Sequence, residues 1–260
     1  MALRRLEALV AAAPRPTRSE RILIGCPPHE EHTFAPLLLT LLLKRRGWDV
    51  IYLGANVPID RLETTIKTTR PEIAIFPAQQ LHTAAALPEI AEELARQGIS
   101  LAFGGRIFLE IPELKERING HYLGDTTDAA VQIVERSLLN GQKPTGISQP
   151  APLYKKSLAR FTQQQAMIEL TTWQLVQDKG IPYAHIVNAN LHLARNLVAA
   201  LKLGDMKFLG SEITWIQGLM DNYGIDASYL PTYLDAYFRA AQQHLGSGPI
   251  VDWLRQFQTT

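Results

Sequence analysis

An alternation through residues 21–139 restricts the fold more than any other feature of the chain. Short apolar runs at 21–25, 48–53, 72–76, 99–103 and 121–123 read as strands. Between and after them, residues 35–46, 59–69, 83–97, 112–118 and 126–139 show helical spacing. Strands separated by whole helices cannot pair as hairpins, so the sheet is expected to be parallel. Right-handed crossovers then leave the flavodoxin-like order or a close relative. The expected fold is α/β: a Rossmann-like (flavodoxin-like), doubly wound, parallel five-stranded sheet. Gly47 and Gly98 close two of the helices, and Thr126 or Thr127 opens the last.

The flanks differ in period. Residues 1–20 read as a short amphipathic helix (Leu3, Leu6, Leu9, Val10) and a linker, Pro14–Arg18. Residues 21–140 form the α/β domain, and 141–152, rich in Gly, Pro and Ser, form a second linker. From 153 to 260 only helical spacing remains, over 154–179, 183–203, 207–223 and 228–245, with 249–257 as a short final helix. Short loops between them point to an all-helical bundle of antiparallel neighbours.

Several classes are excluded. A net charge of +1 gives no footprint for direct nucleic-acid binding, and no DNA-reading unit fits into the first twenty residues. The longest apolar run, near 36–43, is far below the roughly 20 residues of a spanning helix. One cysteine forms no intrachain disulfide and suits a reducing compartment, so a cytoplasmic protein is expected.

Chemistry concentrates in Gly25–Ala35, the junction of the first strand and first helix. That position lies at the carboxyl edge of the sheet, where open α/β sheets bind ligands. It carries His29, Glu30, Glu31 and His32. An imidazole can ligate a transition metal, and a carboxylate two residues away can orient its other nitrogen. The alternative is a polar residue at a helix start. His29 with His32 lacks a third ligand nearby in sequence. Cys26 reads either as a thioether anchor or as a small buried residue.

Three boxes resemble the cobalamin-binding domain family, whose pattern is Asp-x-His-x-x-Gly, Ser-x-Leu and Gly-Gly. Glu30-Glu31-His32-Thr33-Phe34-Ala35 fills the first, Pro77-Ala78-Gln79 stands at the second, and Gly104-Gly105 fills the third. The stretch 47–58 is similar to the light-sensing MerR-type members. The resemblance implies that His32 ligates the cobalt of cobalamin, adenosylcobalamin being the expected form. Glu30, Thr33, Pro77, Gln79, Gly104 and Gly105 would accompany it at the cofactor. Pro77 lacks the hydroxyl of the family's serine, a role open to Gln79 or Gln80, and Ala35 replaces a glycine. The two glycines let a ligand approach the backbone.

By domain order the chain resembles the photocobilins, which pair cobalamin with biliverdin. In the helical half His185, Asn188, His192 and Arg195 share one helix face, opposite Val187, Leu191, Ala194, Leu197, Val198 and Leu201, which read as core. With Tyr233, from a series including Tyr229 and Tyr237, these are candidate bilin or cap contacts; a solvated face and ordinary packing are the alternatives. Trp173 and Trp215 read as core. The function these readings imply is a sensory protein and not an enzyme: a photoreceptor signalling through a homo-oligomer or a separate effector. The alternatives are a corrinoid methyl carrier for a methyltransferase, or a bilin-only or small-ligand sensor.

Overall fold

The computed structural model describes residues 2–140, 149–210, 216, 218 and 225–258. The chain divides into two compact units, Met1–Ser148 and Gln149–Thr260.

In the first unit five strands, β1 (Arg21–Ile24), β2 (Asp49–Tyr52), β3 (Ile73–Pro77), β4 (Ser100–Gly104) and β5 (His121–Tyr122), form one sheet in the order β2-β1-β3-β4-β5. Every neighbouring pair is parallel. Leu23, Ala74 and Phe76 are as buried as Ile22, Ile24 and Ile75, so the central strands are covered on both faces. This is why β1 and β3 read as unbroken apolar runs rather than alternating ones. The chain leaves β1 toward one side of the sheet and β3 toward the other, opening a crevice between their carboxyl ends.

The helices that flank this crevice are α2 (Phe34–Arg45) and α7 (Thr127–Asn140). Leu39 and Leu43 of α2 and Val131 and Val134 of α7 pack with Ile22, Ile24 and Ile75. Thr126 caps α7, its hydroxyl accepting the N–H of Ala129 at 3.2 Å. The N-terminal helix α1 (Ala2–Ala11) rests Leu6 against Leu37 and Leu41 of α2. Of the remaining helices, α3 (Leu62–Thr69) follows a separate 3-10 turn at Ile59–Arg61, where one helix over 59–69 is expected from the spacing. The helix expected over 83–97 is two: α4 (Leu81–Ala84) and α5 (Leu87–Arg96). Pro88 in the first turn of α5 has no N–H to continue the preceding ladder. Residues 112–118 hold a 3-10 helix, Pro112–Arg117, preceded by α6 (Ile107–Glu110).

The second unit is helical: α8 (Pro152–Val176), α9 (Tyr183–Leu203), α10 (Tyr229–Leu245) and α11 (Pro249–Arg255). The helix expected over 207–223 begins as a 3-10 turn, Met206–Leu209; most of its remainder, with Trp215, lies outside the described residues. Among the described residues no helix is long and apolar enough to cross a membrane.

Candidate functional site

The loop after β1 is pinned by backbone bonds to the loop after β2. Cys26 N–H donates to Gly54 O at 2.9 Å, Val57 N–H to Cys26 O at 2.9 Å, and Asn56 N–H to Glu30 O at 3.1 Å. His29 takes a left-handed conformation (φ 65°), and its N–H donates to Asn56 Oδ1 at 2.9 Å. This fixes Glu30, which is 1% exposed.

Glu30 is the hub of the site. Its Oε1 accepts the His32 backbone N–H at 3.0 Å and lies 2.6 Å from His32 Nδ1. Its Oε2 accepts the Gln79 backbone N–H and the Thr83 hydroxyl, each at 2.8 Å. Burial pushes the Glu30 carboxyl up, but these bonds from Gln79, His32 and Thr83 outweigh it and hold it below the ordinary glutamate value. The carboxylate therefore assigns the His32 Nδ1 proton, leaving the Nε2 lone pair on the exposed edge of the ring. The His32 side chain is 62% exposed.

Two cavities adjoin. The first, about 430 Å3, is lined by His32, Thr33, Phe34, Ala35, Gln79, Gln80 and Arg106, with Leu3 of α1. The second, about 230 Å3, lies at the ends of β3, β4 and β5 between α2 and α7; Pro77, Gly104, Gly105 and Gln79 are in its wall. The boxes separated in sequence thus meet at one sheet edge.

The two glycines differ. A Cβ on Gly104 would find only Leu123 Cβ, at 3.6 Å, so that position is open toward the second cavity. A Cβ on Gly105 would stand 2.0 Å from Ala78 O at a φ of +115°. The chain's own backbone passes on the Cβ side of Gly105, so only glycine fits there, and the residue still lines the second cavity. Sequence reasoning missed Thr83, Arg106 and Leu3. Arg106 directly follows the glycine pair; Thr83 had no signal beyond the need of a buried carboxylate for donors.

Cys26 is fully buried, and burial first, then Glu30 and Glu31, push its thiol up to about 12. A buried neutral thiol is the small core residue of the two readings.

In the helical unit His185, Asn188, His192 and Arg195 are all exposed on α9. Two corrections apply there. Val187 and Leu191, read as core, are each 44% exposed; the buried side is built on Ile186, Asn190, Leu193, Ala194 and Leu197. Tyr233, read as a chromophore contact, is buried, and its hydroxyl donates to Asn190 Oδ1 at 2.8 Å. Tyr237 is fully buried and its hydroxyl has no partner among the described residues. Trp173 is only half-buried, meeting Tyr183 edge-on at 4.8 Å.

Comparison with known proteins decides what the sheet edge belongs to. Residues 20–134 match the family model of the B12 binding domain. Residues 20–134 are a cobalamin-binding domain. A curated relative, the HTH-type transcriptional repressor CarA of Myxococcus xanthus, is 36% identical over 63 residues. The match covers 24% of this chain and 22% of that protein, so the chain spans about a fifth of its relative's length. A cobalamin-binding protein from Desulfitobacterium hafniense DCB-2 aligns at 18% identity over 50% of this chain and 66% of that one (TM-score 0.37). The methanol:cobalamin methyltransferase complex MtaBC from Methanosarcina barkeri aligns at 19% identity over 51% of each chain (TM-score 0.42). A monomethylamine corrinoid protein of the same organism aligns at 15% over 50% of this chain and 63% of that one (TM-score 0.39). The matched family is defined by binding rather than by catalysis.

The residues present fit the cofactor of this cobalamin-binding domain. An oriented imidazole with a free lone pair adjoins a wide cavity, and an open glycine adjoins a narrower one. Among the described residues no cluster of three or more His, Cys, Asp or Glu offers a competing metal site.

Proposed function

We propose that the chain is a cobalamin-dependent sensory protein, a photoreceptor, in which His32 is the lower axial ligand of cobalt. The observation that carries this is the 2.6 Å contact between His32 Nδ1 and the buried Glu30 carboxylate. A carboxylate in that place fixes the tautomer and aims the ring. Thr83 and the Gln79 N–H hold the carboxylate in turn. Adenosylcobalamin, the form in this reading, would supply a light-sensitive cobalt–carbon bond when held by His32. The helical unit then shifts between two assemblies, with a second copy or an effector protein as partner, because only one assembly suits the intact cofactor. The repressor among the relatives supports a regulatory role over a methyl-carrier one.

Biliverdin as a second chromophore is the finer part of the reading. It rests on the exposed His185, Asn188, His192 and Arg195, whose cation and imidazoles suit propionates and pyrroles. Tyr233 is no longer part of it. A cytoplasmic location belongs to the same reading, since it has a free thiol and no disulfide.

The test is the absorption spectrum and elution volume of the holoprotein before and after green light. Alkylcobalamin bands that bleach, with a change of elution volume, are expected. Methylcobalamin stable to light and consumed by a thiol acceptor with a partner enzyme would make the chain a methyl carrier. Failure of added biliverdin to give a far-red band would remove the second chromophore.

A further inference from the structure

The N-terminal helix α1 lies outside residues 20–134, the stretch that the family model matches. It is thinly held. Leu6 is the one fully buried residue of α1, set against Leu37 and Leu41 of α2 with Val10 and Tyr52 packed alongside. A helix of 10 residues is too short to persist in water by itself, so α1 depends on that docking. Its first turn carries Arg4 and Arg5 and no acidic residue, against the positive end of the helix dipole.

The chain just beyond α1 is firmly anchored. The Thr17 and Arg18 N–H groups both donate to Gly47 O, at 2.9 and 3.0 Å. The Arg18 guanidinium lies 4.2 Å from the centre of the Trp48 ring. Pro14 and Pro16 stand between this anchor and α1, which is therefore a short lever on a fixed pivot.

The free end of the lever reaches the wide cavity. Leu3, one turn before Leu6, is 37% exposed and lines that cavity with His32 and Phe34. Phe34, the first residue of α2, is 52% exposed. Two large apolar side chains left open in one cavity lining lose that exposure when a ligand fills it.

We propose that Leu3 is a cofactor contact and that α1 is thereby a strap whose docking depends on the cofactor. This rests on the His32 reading, because a macrocycle held by His32 occupies the cavity that Leu3 lines. Covering Leu3 adds to the hold of Leu6 on α2. By reciprocity, the factor by which the cofactor tightens α1 docking is the factor by which α1 tightens cofactor binding. Loss of the cofactor returns α1 to its single anchor, and the apolar face of α2 at Leu37 and Leu41 is uncovered more often.

The experiment is amide hydrogen exchange of residues 2–11 in the full chain, read by mass spectrometry without and with saturating cobalamin, beside dissociation constants from calorimetry. Cobalamin is expected to slow these amides about 10-fold. Leu3→Ser should exchange within about 2-fold of wild type without cofactor, lose the slowing, and bind cobalamin about 10-fold more weakly, the two losses agreeing as linkage requires. Leu6→Ala should speed exchange in both states; exchange like that of wild type would deny the anchor and with it the strap. Slowing that survives Leu3→Ser would put the contact elsewhere and overturn the proposal. Slowing lost with no loss of affinity would overturn it too, as would faster exchange in the holoprotein, which would make α1 an obstruction. If cobalamin leaves α1 exchange unchanged while His32→Ala changes the cobalt spectrum, the strap alone falls. If His32→Ala leaves that spectrum unchanged, the His32 reading falls and the strap with it.

Discussion

Replacing Glu30 by Gln changes one atom in the most buried ionised group of the site. Both carboxylate oxygens face donors: the His32 N–H and ring Nδ1 on one side, the Gln79 N–H and Thr83 hydroxyl on the other. Whichever way the new amide turns, its NH2 meets a part-buried backbone N–H, of His32 or of Gln79. Hydrogen bonds to a charged group contribute about 1.5–3 kcal/mol, and an unsatisfied buried group costs about 1–3 kcal/mol. The variant should therefore lose roughly 3–5 kcal/mol in the α/β unit, a fall on the order of 1–2 M in its urea midpoint. Because the folded carboxyl sits below its unfolded value, the stabilisation is present above about pH 4.3 and lost as pH falls through the folded value. The gap between wild type and Glu30→Gln should accordingly be full at pH 7 and narrow in acid. Cobalamin affinity should fall about 10- to 100-fold, the usual effect of removing a ligand's orienting partner. Urea titrations followed by tryptophan fluorescence at several pH values measure this. A difference below about 0.5 kcal/mol at pH 7, within the range of ordinary surface substitutions, would refute the hub.

Three further outcomes follow from the same contacts. Gly105→Ala should destabilise the unit by more than about 3 kcal/mol, since its Cβ meets Ala78 O at a positive φ, whereas Gly104→Ala should fold normally and weaken cofactor binding by filling the second cavity; urea midpoints and calorimetry separate the two. Tyr233→Phe should cost about 1 kcal/mol through the Asn190 bond, while Tyr237→Phe, whose hydroxyl has no partner among the described residues, should be neutral or stabilising; thermal melts compare them. Cys26 should resist iodoacetamide at pH 8 in the native protein and react once unfolded, as mass spectrometry reports.

The sheet was legible because its central strands are apolar throughout and the segments between them repeat at helical spacing. Boundaries failed where local backbone chemistry intervened, as at Pro88, which restarts a helix inside one periodic run. The pairing of Glu30 with His32 was legible from a spacing of two residues, whereas Thr83 was not, because fifty-three residues separate it from the carboxylate it serves. The backbone crowding at Gly105 was not legible, because a glycine looks the same in sequence whether a ligand or another stretch of the chain approaches it. On α9 periodicity alone placed the core face about one residue off, exposing Val187 and Leu191 and burying Asn190, which Tyr233 then satisfies.

The most direct measurement is electron paramagnetic resonance of the protein loaded with cob(II)alamin and grown with 15N-imidazole histidine. With His32 as the lower ligand, the nitrogen superhyperfine triplet should collapse to a doublet, and His32→Ala should abolish the change. A triplet that survives the label would mean that the cofactor's own base remains on cobalt and that His32 does not hold it.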